Sequence, residues 1–134
     1  MKVDKGSAVI EFVVGITLLF VVVSLGFSLF SVFPQYQNLD YIAKEMLREA
    51  ELAGNTGTNV TNRYDDIQKV AGLEPKSISF DGTKYIGGTK NVQINDRIQV
   101  TVKSDYTLFS SFVGGGFTVE LVATTSGRSG VYYK

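Results

Sequence analysis

Lys5-Gly6-Ser7-Ala8-Val9-Ile10-Glu11-Phe12, and the apolar run that continues from it to Phe33, decide how the chain is read. From Phe12 to Phe33 there is no charged residue and no proline. As a helix this run is roughly 33 Å long at about 1.5 Å per residue. A bilayer hydrocarbon core is about 30 Å thick and is crossed by about 20 apolar residues. One carboxylate, Glu11, stands at the lip of the run, where it is costly in lipid and calls for a partner. Two readings of it stand: a pairing carboxylate, or an interfacial charge at the membrane edge.

The run is too long for a secretory signal, and no small-residue cleavage site follows it. Its small residues, Gly6, Ser7 and Ala8, lie on the N-terminal side instead. Lys2 and Lys5 place the N-terminus inside the cell, with Asp4 working against that bias. Ser7 is the expected helix N-cap, one turn before Glu11. Gly15, Ser24, Gly26 and Ser28 put small side chains among bulky ones, which lets helices approach closely in lipid or in a bundle.

Composition removes several functional classes. The 134 residues carry 13 basic and 13 acidic side chains, so no net field draws the chain to nucleic acid. Without cysteine or histidine there are no disulfides, no thiol nucleophile and no imidazole base. No catalytic constellation, phosphate loop or metal-ligand set is present, so no enzyme and no cofactor is expected. Asp65 and Asp66 could meet Asp81 or Asp96 around calcium, but without EF-hand spacing a solvated helix end is the simpler reading. Lys84, Lys90, Arg97 and Lys103 read as a solvated strand face, and the tyrosines as packing residues.

Beyond the apolar run, Pro34 predicts a kink rather than a stop, because Tyr36 to Ala53 is again helical in pattern. Leu39, Ile42, Ala43, Met46, Leu47, Ala50 and Ala53 recur at spacings of three and four, with charges between them. Gly54 and Asn55 end that helix. Gly54 to Asn62 reads as a loop, with a glycosylation pattern at Asn59-Val60-Thr61. Asn62 then caps a short helix from Arg63 to Ala71 that turns Ile67, Val70 and Ala71 inward. From Ser77 the period changes to two. Strands are expected at Ser77–Phe80, Tyr85–Ile86, Val92–Asn95, Arg97–Tyr106 and Phe117–Thr125, the last with Phe117, Val119, Leu121 and Ala123 on one face. Turns are expected at Asp81-Gly82 and Asn95-Asp96, with an edge strand or extended arm after Ser126.

The expected fold is α+β: one long N-terminal helix, half transmembrane and half amphipathic, packed on a small C-terminal antiparallel sheet of three or four strands. Three segments follow: 1–6 as a leader, 7–34 as the hydrophobic helix, and 35–134 as the amphipathic half with the head.

The chain resembles the type IV pilin-like proteins, and within them the TadE-like pilins of tight-adherence systems. Lys5-Gly6-Ser7-Ala8-Val9-Ile10-Glu11-Phe12 carries the likeness, since type IV prepilins are cut after a glycine and leave glutamate as the fifth mature residue. Leu39 to Ala53 is similar to the soluble half of a TadE helix. Pro34 lies at the end of the hydrophobic segment rather than in its middle, and the cysteines of disulfide-bearing pilin heads are missing. The resemblance implies cleavage between Gly6 and Ser7 by a prepilin peptidase and pairing of the new Ser7 amine with Glu11. It also implies handling by pilus assembly machinery, a single-pass membrane state before assembly, and a homo-polymer built through the N-terminal helices outside the cell. Without cleavage, Lys2 or Lys5 is the partner left for Glu11. A minor pseudopilin and a membrane-anchored binding domain that never polymerises share the same parts.

Overall fold

In the computed structural model the described residues are 5–109 and 114–134. Two helical segments follow one another, α1 (Lys5–Phe30) and α2 (Val32–Ala53). Together they make one helical course, broken at the single residue Ser31, that is long and apolar enough near the N-terminus to cross a membrane. Pro34 is the third residue of α2. It has no N–H to offer the Phe30 carbonyl four residues back, and its ring crowds that carbonyl. The break therefore falls a turn before the proline, at Ser31, whose own N–H still donates to the Phe27 carbonyl at 3.1 Å.

Helix α2 carries the stripe that its spacing predicts. Leu39, Ile42, Ala43, Met46, Leu47 and Ala50 are all buried. Each fully buried side chain of leucine size stabilises by about 1.5–3 kcal/mol. Gly54 ends α2 in the left-handed conformation, at φ 62°.

The stripe packs on a three-stranded antiparallel sheet, β1 (Ser77–Ser79), β2 (Arg97–Leu108) and β3 (Phe117–Arg128), in the order β1-β2-β3. The β2–β3 register runs from Arg97 opposite Arg128 to Leu108 opposite Phe117. Ile98, Val100, Val102, Leu121 and Ala123 close the core from the sheet side. Tyr85–Ile86 and Val92–Asn95 are not strands. An isolated bridge between Asn55 and Asn91 is the only pairing there among the described residues. Val92 is nonetheless fully buried, a loop residue filling the core. The turns at Asp81-Gly82 and Asn95-Asp96 stand where expected, with φ 88° at Gly82 and 65° at Asn95.

Helix α3 (Thr58–Ala71) begins a turn earlier than the sequence suggests, behind Gly57 rather than Asn62. The earlier start buries Val60, which outweighs the capping preference of Asn62. The Asn55 Oδ1 accepts the Gly57 N–H at 3.0 Å and shapes the entry. With the extra turn Ile67 stays inward, but Val70 points to solvent at 76% exposure. On β3 the expected inward face is half realised: Leu121 and Ala123 are buried, whereas Phe117 and Val119 are exposed at 66% and 40%.

After β3 the chain folds back as a strap rather than an edge strand. The Glu51 carboxylate accepts the Arg128 N–H and the Glu51 carbonyl accepts the Gly130 N–H, both at 3.0 Å. Gln93 holds Tyr133 at both backbone groups, and the Tyr133 hydroxyl donates to the Ala53 carbonyl at the end of α2. Replacing Ile42 by alanine is expected to lower unfolding free energy by about 2–5 kcal/mol, and Val70→Ala to change it by less than about 0.5 kcal/mol. Chemical denaturation of the detergent-solubilised chain measures both.

Candidate functional site

The residues singled out by sequence lie on or next to α1, which stands clear of the head. Gly6, Ser7 and Glu11 are all exposed. Ser7 is not an N-cap: the helix already includes Lys5, so Ser7 lies within its first turn. The backbone is thus helical across the Gly6–Ser7 bond. Glu11 has no salt bridge or side-chain hydrogen bond among the described residues.

From Val9 to Phe30 the bulky side chains of α1 are exposed on every side of the helix, Phe30 at 78%. A helix that is apolar all round belongs in a protein core or in a membrane. Two of its hydroxyls suit an apolar setting, because they return to the helix backbone. Thr17 Oγ1 donates to the Val13 carbonyl at 2.8 Å, and Ser28 Oγ to the Ser24 carbonyl at 3.0 Å. Ala8, Gly15 and Gly26 are spaced by seven and eleven residues, nearly two and three whole turns, so they share one face. A Cβ at Gly15 or Gly26 would meet nothing, so that face is open to close approach. Glu11, four residues before Gly15, lies at its edge.

The junction between shaft and head has a tether that sequence reasoning missed. The Ser31 hydroxyl, at the helix break, lies 2.7 Å from the Tyr106 hydroxyl on β2. At the other end of α2, Glu51 holds Arg128, which lies opposite Arg97 at the start of β2. The two distances agree. Ser31 to Glu51 is about 30 Å along a helix, and Arg97 to Tyr106 is about 30 Å along a strand. So β2 runs the full length of α2, antiparallel to it, and its last residues overhang toward α1.

The other candidate groups are dispersed. Among the described residues no three acidic side chains gather as a metal site. Asp96 pairs with Lys84 at 2.8 Å, and Lys103 with Glu120 at 3.5 Å. Lys76 bridges Asp105 at 2.8 Å, and that hydrogen bond chiefly holds its ammonium above the ordinary lysine value. Tyr64 is pushed up chiefly by burial. Asn59, of the glycosylation pattern, is exposed on the first turn of α3.

The fold and this surface define a class: a small α+β head carried on one N-terminal helix long and apolar enough to span a bilayer. Residues 16–134 match the family described as Domain of unknown function (DUF4320), and the chain belongs to it. The match joins most of the exposed shaft to the whole head, and the Gly6-to-Glu11 motif lies just before it. No curated protein and no solved structure matches the chain.

Ser31→Ala and Tyr106→Phe are each expected to cost about 0.5–1.5 kcal/mol, and the double variant about the same as either alone. A double-mutant cycle by chemical denaturation reads that coupling.

Proposed function

We propose that the chain is a structural pilin subunit of a type IV, Tad-like filament, held in the membrane by α1 before assembly and polymerising through α1 outside the cell. One observation carries the reading: an all-round apolar, uncovered helix that opens with Gly6-Ser7 and has Glu11 as the fifth residue counted from Ser7. Such a helix has two stable settings, lipid and a bundle of its own kind, and a pilin uses them in turn. The small-residue face through Gly15 and Gly26 supports the second setting, since it lets shafts pack closely.

The chemistry follows from the cut. Hydrolysis of the Gly6–Ser7 bond by a prepilin peptidase frees a cationic amine on Ser7. In a filament, the amine of an incoming subunit pairs with the Glu11 carboxylate of a neighbour as the shafts leave lipid for one another. With water excluded, a shaft entering out of register leaves a buried charge without a partner, at a cost of about 3–5 kcal/mol. The pair therefore sets axial register, and apolar contact along α1 supplies the cohesion. Head-to-tail repetition of this heterologous contact gives an open helical polymer with the heads outside. The filament serves surface attachment, with the heads as its outward surface.

Glu11→Ala is expected to leave membrane insertion and head folding unchanged and to abolish filaments in cells that hold the assembly machinery. Electron microscopy of sheared surface material reads the outcome. Intact-mass measurement of the native chain is expected to show loss of residues 1–6. A full-length chain confined to membranes would instead identify a non-polymerising anchored domain.

A further inference from the structure

The β2–β3 hairpin has a composition at odds with an exposed position. From Tyr106 through Val119 no residue carries a charge, whereas Asp105 and Glu120, paired across the strands, bear one on each side. On the face that β2 and β3 turn toward the helices, the central core cluster ends at Leu121 and Tyr106, and on β2 Leu108 beyond them is still buried. Across from them on β3, Val119 and Phe117 continue the same face and are exposed. Phe117 meets Phe109 edge to face, ring centres 6.4 Å apart. A connected apolar surface at a hairpin end marks a contact site.

Its place in the molecule identifies the contact. Tyr106 stands level with Ser31 through their hydroxyl contact. The next two residue pairs, to Leu108 and Phe117, carry the hairpin about 7 Å farther along α1 toward its N-terminus. If the hydrocarbon layer begins just past Glu11, about 30 Å of helix ends it near Phe30 and Ser31. The hairpin end therefore lies at the outer boundary of the layer that α1 crosses. Gly26, Leu29, Phe30 and Phe33 border an apolar surface hollow at the same level of the shaft. Charges are held back on both elements: the first on the helix is Asp40, and the first on the hairpin are Asp105 and Glu120.

We propose that the β2–β3 hairpin end is a second membrane contact, with Phe117 and Val119 seated in the headgroup-to-acyl boundary of the bilayer that α1 spans and Tyr106 at its aqueous edge. This rests on α1 lying in the bilayer before assembly. The head is then held against the membrane at two points rather than hung from one, and leaving the membrane requires both to release.

The chain has no tryptophan, so single substitutions give clean fluorophores. Full-length Phe117→Trp, Phe20→Trp and Tyr132→Trp variants are reconstituted in phosphatidylcholine vesicles whose acyl chains are brominated near the glycerol or near the methyl end. The Phe117→Trp indole is expected to emit at shorter wavelength and to lose most of its emission with the shallow bromines and little with the deep ones. The Phe20→Trp indole responds to the deep bromines, and the Tyr132→Trp indole to neither. Val119→Trp repeats the measurement should Phe117→Trp fold poorly. A Phe117→Trp indole as insensitive as that of Tyr132→Trp, with Phe20→Trp still quenched, overturns the hairpin contact alone. An unquenched Phe20→Trp overturns the spanning helix and the hairpin contact together. A blue shift at Phe117→Trp that fades as protein is diluted into lipid identifies a second copy as the occupant and also overturns the proposal.

Discussion

The burial of one stripe of α2 against the β2–β3 face is the interaction on which the rest depends. Leu39, Ile42, Met46 and their small neighbours share one buried cluster with Val100 and Val102, and Val60 and Ile67 of α3 and the loop residue Val92 complete it. Once they meet, the strands must run the length of the helix. That length puts Arg128 at Glu51 and Tyr106 at Ser31, at opposite ends of α2. What remains outside this match is decided by subtraction. α1 projects from one end with its bulky side chains exposed, and the end of β2 overhangs on the same side.

The division between a covered and an uncovered helix was legible in the residues. Charges interleave the apolar positions in α2 and are missing from Phe12 to Phe33, and that contrast alone separates a half that finds its partner in the chain from one that does not. The glycine at 54 and the alternation of β2 were equally plain, because each rests on local chemistry. The errors came where a distant contact overrode a local preference. Asn62 is a good cap, yet Val60 finds a buried place that only a longer α3 can give it. Val92 looks like strand and is a core plug in a loop. Phe117 alternates correctly but lies past the end of its cover, and no local pattern says where a facing helix stops.

The site divides in the same way. Gly6, Ser7 and Glu11 stand out by identity and spacing, and their surroundings on an uncovered helix follow from the composition of the run. The Ser31–Tyr106 tether joins two hydroxyls 75 residues apart in two unremarkable contexts. Its only trace in the sequence is indirect: the uncharged run that starts at Tyr106 and the missing N–H at Pro34.

The strap that closes the head has a consequence for the time at which the head comes to exist. Its bond from Arg128 to Glu51 spans 77 residues and joins the end of β3 to the end of α2. Contacts of such separation form late, because the loop between them must close first. While the chain is still emerging, the α2 stripe has neither β2 nor β3 to cover it. The stripe of α2 therefore stays open in the folding chain until β2 and β3 have paired upon it, and the strap is the contact that closes the head.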